Sequence, residues 1–236
     1  MAPPLDAVVM AAGEGTRLRP VTERWAKPVL PIDGRPVLAV LLRELAAARC
    51  ERVWLVTGYL AEQVERLAGD GSAFGVEILF VHQPEVLGSA DAVRRALDAG
   101  APLPVLVSAA DTVFVYGDVG RFAAEFEASA AAGAVAVRLD PPPGPGRGAV
   151  RRRNGRVERM RDDDPGNAWS AAPLWAAGPA IADCLCLDRP PHELENAFQA
   201  AIDAGETVTA VEIGKTRDLT NPLDLVEENF PYLRST

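Results

Sequence analysis

The chain is predicted to be an α/β protein: a mostly parallel sheet flanked by helices, with a small antiparallel insertion. Three observations carry this expectation. Apolar runs of strand length alternate with longer segments of helical period over residues 1–139, which is the rhythm of repeated βαβ units. A G-x-G turn follows the first of those runs. Beyond residue 140 a proline-rich stretch gives way to two short runs flanking Asn154-Gly155, a dipeptide that favours a type I′ hairpin.

In chain order, the apolar run Leu5–Met10 reads as the first strand, Val37–Ala48 as a helix and Arg52–Thr57 as the second strand. A helix over Ala61–Leu67 and a strand over Val76–Val81 follow. Next come a helix over Ser89–Leu97 and a strand over Val105–Ser108 that leads to Asp111. Carboxyl ends of parallel strands are where such sheets bind ligands, so Asp111 stands at a favoured position. A helix over Asp118–Ala131 and a strand over Ala134–Leu139 complete the first half. DPPPGPGRG, residues 140–148, is incompatible with regular structure and reads as an exposed loop. The hairpin Ala149–Arg153 and Arg156–Met160 comes next, then a strand near Trp169–Ala176. A helix near Glu193–Ala204, a strand over Thr207–Glu212 and a helix near Leu223–Phe230 end the pattern. With no internal repeat and no long linker, residues 1–236 read as one domain: 1–139 a nucleotide-binding half, 140–236 an acceptor-binding insertion and C-terminal part.

Net charge is −9, which argues against nucleic-acid binding through a basic surface and makes any anion site local. Lys27 and Lys215 are the only lysines, against twenty-two arginines, so each stands out as a residue that arginine has not replaced. Cys50, Cys184 and Cys186 make neither a disulfide framework nor a zinc site and read as buried free thiols. The N-terminus lacks a signal peptide's basic region, and no stretch approaches a membrane span, so a cytoplasmic protein without membrane contact is expected.

Residues 11–28, AAGEGTRLRPVTERWAKP, hold the densest chemistry. A Rossmann dinucleotide fingerprint needs a third glycine where Leu18 stands, and the P-loop ending Gly-Lys-Ser/Thr is absent. What remains is a glycine turn whose backbone N–H groups can approach an anion, followed by Arg17 and Lys27. Arg17 can fork across two phosphate oxygens while Lys27 supplies a point charge. A solvated basic loop is the plainer alternative, and it leaves the two glycines and the rare lysine unexplained.

A-A-G-x-G-T-R-L-x-P-x-T followed by Lys-Pro resembles the signature of the sugar-1-phosphate nucleotidyltransferases, the family of glucose-1-phosphate thymidylyl- and uridylyltransferases. The resemblance implies a Rossmann-like, glycosyltransferase-A-like fold restricted to the catalytic domain. It assigns Gly13, Gly15, Thr16 and Arg17 to the nucleotide phosphates, makes Ala12 a nucleotide contact, and gives Lys27 the charge developing at the reacting phosphoryl group. His82-Gln83-Pro84 through Leu87-Gly88-Ser89-Ala90 resembles the segment in which a glutamine amide and a glycine backbone read a uracil or thymine edge. That implies nucleotide contacts for Gln83, Gly88 and Ser89. Taken alone, Gln83 reads as a surface residue ahead of a helix N-cap at Ser89. Asp111 matches the family's magnesium aspartate after the fourth strand, and TRDLTNPLD, residues 216–224, points to Asp218 as the second, with Asp224 structural at a helix N-terminus.

The implied reaction is transfer of a nucleotidyl group from an NTP, UTP or dTTP above others, to a sugar 1-phosphate, with Mg²⁺ as cofactor. On the acceptor side the chain departs from the family. Gly148-Ala149-Val150 resembles its Gly-Val-Val segment, which makes Gly148 a sugar contact, but RDDDP at 161–165 replaces E-K-P and its phosphate-holding lysine. Arg161 and Lys215 are the candidate substitutes. The three aspartates 162–164 would suit a cationic acceptor, so a cytidylyltransferase acting on a small phosphorylated alcohol or aminoalkyl phosphate is the rival reading. A non-catalytic nucleotide-sensing subunit is the alternative from another class. The sequence is compatible with a monomer or a homodimer.

Overall fold

A computed structural model describes residues 4–139, 148–188 and 192–230. Of the expected proline-rich loop, only Gly148 therefore falls within the described residues.

Strand β1 (Asp6–Ala11) is followed by three single 3-10 turns at Thr16–Leu18, Val21–Glu23 and Lys27–Val29, and by a two-residue ribbon of β2 (Pro31–Ile32) and β3 (Arg35–Pro36). Then come α1 (Val37–Ala47), β4 (Arg52–Thr57), α2 (Ala61–Ala68), β5 (Glu77–His82), α3 (Ser89–Asp98) and β6 (Val105–Ala109). A short β7 (Thr112–Val113) precedes α4 (Asp118–Ala128) and β8 (Gly133–Leu139). The second half supplies β9 (Val150–Arg153), β10 (Arg156–Met160), β11 (Trp169–Ala177), α5 (Pro179–Asp183), α6 (Leu194–Asp203), β12 (Val208–Glu212), β13 (Arg217–Asp218) and α7 (Pro222–Asn229).

Nine strands form one sheet in the order β5-β4-β1-β6-β11-β8-β12-β10-β9. β5, β4, β1 and β6 pair in parallel, as do β8 and β12, while β11 runs antiparallel between β6 and β8. The antiparallel hairpin β9–β10 lies at the edge, and Asn154 and Gly155 at its tip take φ of 50° and 74°, both positive as a type I′ turn requires. β11 from the second half thus sits between strands of the first, and the antiparallel hairpin of the expected insertion extends the same sheet.

Alternation along the strands divides the core. On one face Ala7, Val9, Leu55 and Leu106 pack against α1 and α4 through Leu38, Leu42, Phe122 and Phe126. On the other, Val8, Val56, Val107 and Val135 pack against α3 and α6 through Val93, Ala96, Leu194 and Phe198. Cys50 is buried, and burial pushes its thiol up to about 12, so it stays protonated. The expectation of three buried thiols fails for the other two. α5 ends at Asp183, which leaves Cys184 half-buried at the helix cap and Cys186 exposed in the following turn. Among the described residues no helix is long and apolar enough to cross a membrane.

Candidate active site

From β1 the chain builds outward to β4 and β5 and then returns to β6 on β1's other side. That reversal makes a topological switch point between the carboxyl ends of β1 and β6, where open α/β sheets bind ligands. A cleft of about 280 Å³ opens there, lined by Gly13, Gly15, Thr16, Arg17, Lys27 and Asp111 among others.

Each side of the cleft is held in place by short-range chemistry. Gly15 takes φ of +62°, and a Cβ there would stand 3.1 Å from Thr22 Cγ2 and 3.3 Å from Lys27 Cβ, so the loop closes on Lys27 only with glycine at this position. A Cβ at Gly13 would meet no protein atom within 4 Å; it would project into open space. Ala12 is buried, and its carbonyl accepts from the Tyr59 N–H at 3.1 Å. Gln63 of α2 clamps the loop by accepting from the Ala26 N–H at 2.9 Å and donating to the Arg24 carbonyl at 2.8 Å. Lys27 emerges from this brace with its ammonium ion-paired to Asp111 Oδ2. Arg17 is exposed at the cleft and forms no ion pair with any described residue.

Asp218 reaches the same place from the far end of the sequence. β13 pairs antiparallel with β7, and Asp218 stands opposite Thr112, the residue that follows Asp111. Thr220 Oγ1 donates to Asp218 Oδ1 at 2.9 Å, and Thr112 Oγ1 lies 3.4 Å from Asp111 Oδ1. Both carboxylates are hard oxygen donors, and among the described residues no group of three or more His, Cys, Asp or Glu gathers elsewhere as a metal site. This donor set suits Mg²⁺, which binds one or two carboxylates and fills the rest of its shell with water and phosphate oxygens. The ladder is held by Arg217, which makes two bonds to the Asp33 carboxylate, at 2.5 and 2.9 Å, and two to Glu228, at 2.5 Å to its carboxylate and 3.4 Å to its carbonyl. Asp224 is structural, as its position implies: it accepts from the Thr220 and Asn221 N–H groups in a capping box that starts α7.

The loop after β5 is organised differently from expectation. Gln83 is not a surface residue; it is 2% exposed, and its Nε2 donates to the Gly88 carbonyl at 3.2 Å and to Asp91 Oδ2 at 2.7 Å. Because both partners are acceptors, they fix the amide orientation and leave the oxygen as the atom Gln83 can offer. Gly88, not Ser89, precedes the first turn of α3. At φ of +117° its Cβ would stand 2.7 Å from the His192 backbone nitrogen, so that backbone alone demands glycine there. Ser89 serves another helix: its hydroxyl accepts from the Leu194 N–H at 2.8 Å and donates to Glu193 at 2.7 Å, capping α6. Sequence spacing could not show this, because the capped helix lies over a hundred residues away.

On the acceptor side, Gly148 and Arg161 come together with Glu195, a residue the sequence reading missed. Arg161 takes φ of 51° and its Nε donates to Glu195 Oε2 at 2.6 Å, while a Cβ on Gly148 would stand 3.5 Å from Glu195 Oε1. Lys215 does not join them. The Gly214 N–H is held by Asp118 Oδ2 at 2.7 Å, and Lys215 stands exposed in the turn beyond, outside the cleft lining. The three aspartates form no cationic cage either. Asp162 is buried between Arg151 at 2.5 Å and Asn167 at 2.9 Å, the Asp163 carboxylate is 92% exposed, and Asp164 accepts from the Gly166 N–H at 2.9 Å.

Known proteins are similar to this chain in sequence and in fold. The chain is 30% identical to a glucose-1-phosphate thymidylyltransferase of Streptomyces griseus, across 98% of its own length and 67% of that protein's. It is 40% identical to the CMP-5'-(3-aminopropyl)phosphonate synthase of Streptomyces rubellomurinus, across 54% of its own length but only 20% of that protein's. The solved inositol-1-phosphate CTP transferase of T. maritima superposes with a TM-score of 0.80 over 95% of this chain and 93% of that one, a likeness of fold at 19% identity. A family model described as Nucleotidyl transferase matches residues 6–161, from β1 through the cleft to the hairpin, and the chain belongs to that family.

Proposed function

We propose that this chain transfers a nucleotidyl group from UTP or dTTP to a sugar 1-phosphate, releasing pyrophosphate and forming an NDP-sugar. The observation that carries the reading is the gathering of Arg17, Lys27 and Asp111 in the switch-point cleft, with Asp218 brought beside it by the β7–β13 pairing, next to the lining residues Leu219 and Thr220. The similarity to a thymidylyltransferase along nearly the whole chain supports it.

In this mechanism an acceptor phosphate oxygen attacks the α-phosphorus in line. The bond from that phosphorus to the bridging α–β oxygen breaks, and pyrophosphate leaves with the electron pair. A phosphate dianion is nucleophilic at neutral pH, so neither a protein nucleophile nor a general base is required. The glycine turn presents N–H groups to the triphosphate, Arg17 bridges two of its oxygens, and Lys27 neutralises charge developing at the α-phosphoryl group. Asp111 and Asp218 would hold Mg²⁺, which when bound supplies further charge neutralisation across the phosphates. Gln83 offers its amide oxygen to a base donor such as the imide N–H of uracil or thymine.

A cytidylyltransferase acting on a small phosphorylated alcohol is the second reading. The aminopropylphosphonate synthase similarity favours it, and the cytosine amino group would also satisfy the Gln83 oxygen. The dispersal of Asp162, Asp163 and Asp164 removes the argument for a cationic acceptor. Pyrophosphate release from each common NTP, paired with sugar 1-phosphates and with aminoalkyl phosphates, separates the two. Turnover with UTP or dTTP and a sugar 1-phosphate is expected; turnover confined to CTP and an aminoalkyl phosphate would overturn the first reading.

A further inference from the structure

From the geometry we infer that Arg138, on β8, holds the phosphate of the acceptor. The inference rests on the proposed nucleotidyl transfer. It supplies what RDDDP lacks, a cation for the second phosphate.

Arg138 is the penultimate residue of β8, which runs in the same direction as β1 and β6, so its side chain stands at the cleft end of the sheet. Only β11 separates β8 from β6, the strand that leads into Asp111. Two strand spacings amount to roughly 10 Å, a span that an arginine side chain and a phosphate can bridge between them. Alternation puts Arg138 on the face shared by Ala134 and Ala136, the face to which Ala110 also belongs.

Its bonding is what distinguishes it. Arg151, Arg152, Arg161 and Arg217 each hold a carboxylate. Arg138 is half-buried, yet it forms no ion pair or hydrogen bond with any described residue, and its Nε is buried without a partner. Directly opposite it in the β8–β11 register stands Ser170, fully buried, whose hydroxyl is likewise unpartnered. Burial disfavours the charged guanidinium, and Asp218 is the one carboxylate whose field favours it. An unpaired, partly desolvated guanidinium is costly in a folded protein and is kept where an anion completes it. A doubly charged phosphate beside the Asp111–Asp218 pair is such an anion, and the planar fork of arginine matches its oxygens.

Of the other candidate cations, Arg161 is tied to Glu195, and Lys215 is exposed after Gly214 rather than half-buried at a strand end.

Thermal unfolding with and without inorganic phosphate, together with initial-rate kinetics, tests the assignment on the full chain. Arg138→Met is expected to unfold at the same temperature as the parent or higher, because it removes an unpaired buried cation. It should weaken phosphate binding at least tenfold and raise the KM for the sugar phosphate by a similar factor, leaving the KM for the nucleotide unchanged. Arg138→Lys should recover part of the phosphate affinity. Unchanged phosphate affinity in Arg138→Met, a rise in the nucleotide KM alone, or equal destabilisation of both variants with no affinity regained by lysine would each overturn the inference. Should phosphate binding depend on Arg138 while the parent makes no NDP-sugar from any sugar phosphate, the proposed reaction fails and the anion site stands. Should the parent make NDP-sugar while Arg138→Met binds phosphate normally, the reaction stands and the site fails.

Discussion

Lys27 and Asp111, 84 residues apart in sequence, form an ion pair across the mouth of the switch-point cleft. The pair keeps the two opposite charges of the site in register before any substrate arrives. In the proposed reaction, triphosphate binding would draw on the lysine and metal binding on the aspartate, so each partner would have a stronger ligand. Replacing Lys27 with methionine is expected to lower the rate of pyrophosphate release by about 10²–10³-fold, the usual loss when one charge-stabilising donor is removed. Wild-type kcat in that variant would show that the lysine serves only the ion pair.

Asp111→Asn and Asp218→Asn should each weaken Mg²⁺ or Mn²⁺ binding about tenfold or more, read by calorimetry without substrate. Addition of EDTA to the parent should abolish turnover and excess Mg²⁺ restore it. Equal metal affinity in parent and Asp218→Asn would remove Asp218 from the site.

Two glycine substitutions should separate folding from binding. Gly88→Ala forces a side chain into the His192 backbone at φ of +117° and is expected to cost about 2 kcal/mol or more in thermal unfolding. Gly13→Ala meets no protein atom, so its melting temperature should stay near that of the parent while nucleotide affinity falls. An equal loss of stability in both variants would contradict the reading of Gly13 as a place of close ligand approach.

Asp162 should give acid stability a recognisable signature. Burial pushes its pKa up, but hydrogen bonds from Asn167 and Arg151 and the charge of Arg151 outweigh burial, so the carboxyl titrates below the ordinary carboxylate range. A lowered folded pKa contributes stability that is present above the unfolded value near 4 and is lost as pH falls through the folded one. Melting temperatures from pH 6 to pH 3 should therefore fall less steeply for Asp162→Asn than for the parent, from a lower starting value. Parallel curves would show that Asp162 adds nothing to the pH dependence.

Features set by local chemistry were legible in the sequence. The glycine loop, the parallel strand rhythm and the Asn154-Gly155 turn all follow from conformational rules that act within a few residues, and each element stands within a few residues of its expected bounds. Asp218 was legible only through the family motif, since the ladder that carries it to Asp111 is two residues long and has no periodicity to read. Ser89 capping α6, Glu195 holding Arg161 and Arg138 standing unpaired are products of long-range register. For Arg138 one signal was available: an arginine at the polar end of an otherwise apolar strand, in line with the other strand ends.

The β7–β13 ladder makes the proposed metal pair a locally fragile assembly. Asp111 is carried by the central sheet, whereas Asp218 is held by two residues of pairing, one arginine fork to Asp33 and Glu228, the buried Leu219 beside it in a small satellite cluster, and a helix with no buried residue of its own. Opening of that corner would leave the nine-stranded sheet intact and still abolish the reaction. Inactivation should therefore run ahead of global melting as temperature rises, so the molecule would lose its chemistry while it still looks folded by circular dichroism.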